Sequence, residues 1–227
     1  MGGVARATAA VAVAALVAVA LAAPAPAADD PERGDVRDLR LGLHVSELPG
    51  RGYVDFACGN DGGEPGTPLE GGWADYAQCP PEASGLHEVA FRYDDALQPW
   101  AKVNDNWEGT KLAGHPVILS LLIDDGGVVQ GIRAVTDPDA RMYMKKKAYL
   151  LTLRVKGRYG RDGWSCRQEQ PVGGRSPVGG VFIDEVCEKD YNGRHLVVRT
   201  NLYRTAEQSG RDFTNSTRFE ILSSSAS

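Results

Sequence analysis

The sequence predicts an α+β fold: an antiparallel sheet with few helices, built as two similar disulfide-stapled modules. Three observations predict it. Four cysteines fall into two pairs with the same spacing, Cys58 with Cys79 and Cys166 with Cys187, 21 positions apart in each case. Several short segments alternate apolar and polar residues with the period of a half-buried strand. A helix start signal stands out at one place alone, Asp137-Pro138-Asp139.

The module reading comes from sliding the chain along itself. A gapless shift of 108 residues places Cys58 on Cys166 and Cys79 on Cys187. It also places Gly52 on Gly160, Gly66 on Gly174, Gly71-Gly72 on Gly179-Gly180, Gly85 on Gly193, His87 on His195 and Val89 on Val197. That is nine identities over positions 52–90, where typical residue usage gives roughly three by chance. Each module then repeats its own staple, so the expected bridges are Cys58–Cys79 and Cys166–Cys187. A loop of this size stabilises by about 3 kcal/mol in the chain-entropy model. A four-cysteine zinc site is the rival, but the C-x2-C spacing that usually builds one is absent.

Three segments organise the chain. Residues 1–27 read as a signal peptide: Arg6, an apolar run from Ala7 to Ala23, then small residues at Ala25 and Ala27, with cleavage after Ala27. The rival is an uncleaved anchor, but the run is alanine-rich and short of a full span. No later stretch is long and apolar enough to cross a bilayer. Residues 28–136 form an acidic module; from Ala28 to Ala140 there are 21 acidic and 8 basic side chains. Residues 137–227 form a basic module; from Arg141 to Ser227 there are 9 acidic and 16 basic side chains. This asymmetry implies either two surfaces for different partners or two halves that attract each other.

The elements follow in order. Leu39 to Leu48 is a short amphipathic segment stopped by Pro49-Gly50. Residues 58–85 are rich in Gly and Pro and read as a long loop held by the first bridge. His87 to Tyr93 alternates as a strand. Gln98 to Gly109 is a loop that carries Trp100 and Trp107. Val117 to Ile123 and Val128 to Val135 flank Asp124-Asp125-Gly126-Gly127 and form a hairpin. From Asp137 a helix is expected to run to about Val155, with Ala140, Tyr143, Met144, Ala148, Leu151 and Val155 on one face. A strand over Tyr149 to Lys156 competes with it. A second cysteine loop follows, then strands near His195 to Tyr203 and Thr217 to Leu222.

LGLHVSEL, then a cysteine loop and a hairpin, then a second stapled module, resembles the tandem modules of the β-lactamase-inhibitor-protein and BamE-like folds. The start pattern of those modules, Gly-hydrophobic-Thr, is partly present at Gly42-Leu43-His44. The resemblance implies binding of another exported protein and carries over no functional residues.

The chemistry-bearing residues point the same way. No G-x-S-x-G surrounds any serine, and no catalytic residues are assigned. His87 and His195 are candidate metal ligands because the repeat superposes them; the plainer role is a polar residue entering each strand. Asp-rich turns at Asp94-Asp95, Asn104-Asp105-Asn106 and Asp124-Asp125 lack the calcium-loop pattern and serve as turn formers. Trp73 and Trp164 flank cysteines and read as packing. Trp100 and Trp107, in a loop, are the candidate binding anchors. The expectation is a periplasmic or secreted, non-enzymatic protein that binds another exported protein or a cell-envelope component. No cofactor and no nucleic acid are expected. The alternatives are an exported hydrolase-like enzyme or a cation-binding protein.

Overall fold

The computed structural model describes residues 2–3, 35–94, 96–97, 110–170, 173–209 and 212–224. All of residues 1–27, where a signal peptide is expected, except Gly2 and Gly3, and the loop positions Trp100 and Trp107, lie outside these residues.

Nine strands make one antiparallel sheet: β1 (Tyr53–Cys58), β2 (His87–Tyr93), β3 (Thr110–Leu112), β4 (His115–Ile123), β5 (Val129–Thr136), β6 (Ser165–Gln168), β7 (Ile183–Tyr191), β8 (Arg194–Tyr203) and β9 (Thr214–Ser223). The order across the sheet is β1-β2-β4-β5-β9-β8-β7-β6, with β3 also paired to β4. Two short helices, α1 (Met142–Lys145) and α2 (Leu150–Arg158), lie between β5 and β6 in the chain. Residues 28–136 and 137–227 therefore share a single sheet, joined where β5 pairs with β9.

Turn chemistry sets the register. Asp124 accepts from the backbone of Gly126 at 2.9 Å and of Val128 at 3.0 Å, and Gly127 sits at φ 79°. Only glycine adopts that conformation without strain, so the β4–β5 hairpin forms where the sequence predicts it. β7 and β8 turn at Asn192-Gly193, with φ of 50° and 74°. Two positive-φ residues make the tight turn that matches strand twist.

The sheet has two unlike faces. On one, Val89, Phe91, Leu119, Leu121, Ile132, Leu196, Val198, Phe219 and Ile221 are almost wholly buried. Alternation predicts this, because side chains two apart share a face. α2 lays Leu151 and Val155 on the β8–β9 half of that face. A 3-10 segment, Gly72–Gln78, covers the β1–β2 end through Trp73, whose ring meets Phe56 at 4.6 Å and Phe91 at 5.0 Å. Leu41, Leu43 and Val45 complete the layer.

Three expectations change here. The helix starts at Met142, not Asp137. The Asp137 carboxylate accepts the backbone N–H of Asp139 at 2.7 Å, and its backbone carbonyl accepts that of Ala140 at 3.3 Å. Its side chain thus closes a turn instead of capping a helix. The helix also divides at Lys146–Tyr149, and Tyr143 points to solvent instead of the core. The long loop 58–85 contains an ordered 3-10 segment with a buried tryptophan. The second cysteine loop is partly strand: Cys166 lies in β6 and Cys187 in β7, directly paired.

Candidate functional site on the open face of the sheet

The second face is where the charged chemistry collects. Register places Ser120 opposite Arg133, Arg133 opposite Glu220, and Glu220 opposite Val197. Glu88 joins them from β2. These polar positions alternate with the core residues, so their facing follows from sequence. Their burial does not. Arg133 is 3% exposed and Glu88 2%, because the first cysteine loop folds over them. The Gly59 N–H donates to the Glu88 carbonyl at 2.7 Å. A Cβ at Gly59 would collide with the Glu88 side chain, so only glycine lets the loop lie this close.

Arg133 neutralises the acids beneath that loop. Its guanidinium reaches Glu82 at 2.5 Å, Glu220 at 2.7 Å, Glu88 at 2.9 Å and Asp61 at 3.6 Å. Arg218 adds Asp61 at 2.7 Å and Glu220 at 3.0 Å. Burial pushes the Glu88 carboxyl up, and the Arg133 charge offsets only part of this. Burial would raise Glu82 too, but its hydrogen bond to Arg133 and that charge outweigh burial and hold it down. The arrangement is a buried ion cluster whose charges are spent on one another. Such a cluster fixes geometry more than it adds stability.

The second cysteine loop stands over the other end of the face. Arg175 pairs with Asp184, which is 3% exposed, and its guanidinium lies 4.7 Å from the Tyr203 ring centroid. Ser176 and Arg204 exchange backbone hydrogen bonds at 2.8 Å. The bridges holding the two loops are Cys58–Cys79 and Cys166–Cys187.

Between the loops the floor is β9 and β8. A cavity of about 630 Å³ opens beside the first loop over Glu82, Arg133, Arg218, Glu220 and Leu222. A second, of about 440 Å³, opens over Val197, Arg199, Arg218 and Glu220. Arg199 is exposed and sits directly opposite Arg218. Like charges in that position repel. Arg218 is neutralised by Asp61 and Glu220, whereas Arg199 forms no salt bridge among the described residues.

The candidate metal ligands do not meet. His87 is on β2 and His195 on β8, four inter-strand steps apart, roughly 19 Å. The gapless shift aligns them in sequence but not in sheet position. His87 ties the Cys79 carbonyl, 2.6 Å from Nδ1, to Asp125, 3.0 Å from Nε2. Burial lowers its pKa, but these two bonds outweigh burial and raise it. His195 meets Asp190 at 2.9 Å. Trp73 is core, and Trp164 packs under Lys156 and Lys189, 5.9 and 5.8 Å from its ring centroid.

Sequence reasoning missed Arg133, Glu82, Glu88, Glu220 and Arg218. The available signal was a charge inside each apolar strand, in HEVAFRY and VQGIRAVT. No protein-family model, curated protein or solved structure matches the chain.

Proposed function

We propose that the chain is an exported binding protein that grips another exported protein in the groove between its two cysteine loops. One observation carries the reading. Arg199 lies exposed on the groove floor, opposed to Arg218, while Asp61 and Glu220 are already paired with Arg218. An arginine so placed suits a carboxylate from outside, held through two parallel N–H donors. Val197 and Leu222, half-buried beside it, offer apolar contact to the same partner. Rigid walls favour affinity, because little ordering remains for binding to cost.

The reading as two similar modules belongs to this proposal. Its support is the mirrored strand order, with β1-β2-β4-β5 meeting β9-β8-β7-β6 at the centre. The resemblance to β-lactamase-inhibitor-protein and BamE-like modules points to the same class of activity. Export is supported by the signal-like start and by two disulfides, which persist in oxidising compartments. No helix among the described residues is long and apolar enough to cross a membrane. Trp100 and Trp107 remain candidate anchors.

A second reading, an exported hydrolase, is favoured by the convergence of Asp61, Glu82 and Glu220 at the cavity. Against it, each of these acids is bonded to an arginine, and Glu88, whose carboxyl is pushed up by burial, is sealed beneath Gly59. A general acid must reach its substrate.

The experiment is affinity capture from the exported fraction with the mature, disulfide-bonded protein. Wild type should recover a defined partner protein, and Arg199→Glu and Val197→Glu should each lose it while unfolding at the wild-type urea midpoint. Equal recovery by all three would refute the groove. Trp100→Ala with Trp107→Ala should weaken recovery if those rings are anchors.

A further inference from the structure

We propose that the outward face of the helical layer binds the surface of an anionic phospholipid bilayer. This rests on the opposite side of the sheet from the groove and does not depend on the partner assigned there.

The observation is a combination that ordinary solvated helices do not show. From Ala140 to Arg161 the chain carries eight basic residues and no acid. One reading of the charge asymmetry is that these cations answer the acidic half. They do not: among the described residues only Lys156 of this run enters a salt bridge, with Glu185 at 3.5 Å. The acids of the first half that pair do so with His87, Arg92, Arg133, Arg194 and Arg218 instead. Apart from Lys156, the cations of this run form no ion pair among the described residues.

Apolar groups stand among them. Met142 is 51% exposed, Tyr143 52%, Tyr149 36% and Leu153 61%. Four of the six large hydrophobic side chains that the described residues expose lie in this one stretch. The helical repeat explains the layout. Ala148, Leu151, Thr152 and Val155 turn inward onto the sheet. Tyr149 at the start of α2 and Leu153 four residues on share its outward side, and Lys146 is exposed in the turn between the two helices. Lys147, Arg154 and Arg158 flank that side and are exposed.

The chemistry selects the occupant. Lysine is a strongly hydrated point charge on a flexible stem, suited to a diffuse negative field. Tyrosine and leucine between lysines are the side chains that enter the headgroup boundary while the cations stay at the phosphates. The outward side of α2 is the outer ridge of a helix packed on a sheet.

The test is co-sedimentation of the mature, disulfide-bonded protein with vesicles. Binding is expected to vesicles of phosphatidylglycerol and phosphatidylcholine in 3:7 ratio, and to fall as salt rises. Pure phosphatidylcholine should bind little. Each cation near such a surface contributes about fivefold in partitioning, so Lys146→Gln, Lys147→Gln and Arg154→Gln together should weaken binding by roughly a hundredfold. Leu153→Ser, one exposed change that leaves the charge intact, should weaken it severalfold. Wild-type urea midpoints for both variants would confirm that the fold is kept. No binding to the anionic vesicles at low salt would overturn the proposal, as would binding that both variants retain in full. Retention on immobilised heparin without any vesicle binding would also overturn it, and would assign the face to a soluble polyanion.

Discussion

The two cysteine loops have the same spacing and opposite mechanics. Cys58 and Cys79 are 6% and 1% exposed and lie within the aromatic end of the core, beside Tyr53, Trp73 and Phe91. Cys166 is exposed on the edge strand β6 and bridges to Cys187 directly across the pairing. The first bridge pins a loop that wraps from the core face to the ion cluster. The second straps an edge strand that backbone hydrogen bonds already hold. Equal loop length gives both bridges the same chain-entropy effect, so any difference between them must come from packing. Covalent spacing in a sequence thus shows where a staple is, not what it holds.

The largest expected effect concerns what the first loop covers. Arg133→Met leaves Glu82, Glu88 and Glu220 buried without their common cation, and should cost about 3–5 kcal/mol. Urea unfolding measures it. A loss below about 1 kcal/mol would mean that water reaches the cluster and the loop is no lid.

The bridges come next. Cys58→Ala with Cys79→Ala should lose about 3 kcal/mol of loop closure together with buried packing. Cys166→Ala with Cys187→Ala should lose less, since the exposed edge strand can fray without the core opening. Hydrogen exchange of β6, set against that of β1, separates local fraying from global loss. Equal unfolding midpoints for the two variants would erase the comparison.

The smallest effects are in pH. Glu82 is held below the usual carboxylate range by Arg133. Its contribution is therefore present above about pH 4.5 and is lost as pH falls through its lowered value. Glu82→Gln should flatten that acid limb of the stability curve. Glu88, pushed up by burial, acts in the opposite sense: its contribution is present at low pH and fades as pH rises through its raised value. His87 is raised by its bonds to the Cys79 carbonyl and Asp125. Its tie is fully made below about pH 6.5 and is lost as pH rises through the raised value. His87→Gln should remove that fade and leave the acid limb unchanged.

Much of the sheet was legible. His87–Tyr93 and the hairpin about Asp124-Asp125-Gly126-Gly127 carry period-two alternation and turn residues, which are local signals. β1, β3, β6 and β7 were not read. β6 is short and exposed, and β7 mixes Asp184, Glu185, Glu188 and Lys189 into its run, so neither alternates cleanly. Asn192-Gly193 was the one local sign of β7, being the strongest two-residue hairpin turn. The site was not legible for a different reason. Glu88 and Arg133 look like solvent-facing positions until residues 59–66, distant in sequence, cover them. Burial imposed by a loop has no period.

The central claim is that partner recognition occurs on the groove floor. A photo-crosslinking amino acid at position 199, compared with one at position 153 on the helical face, tests it in the exported fraction. The account predicts one discrete protein adduct from position 199 and no protein adduct from position 153. The same adduct from both positions, or none from position 199, would contradict it.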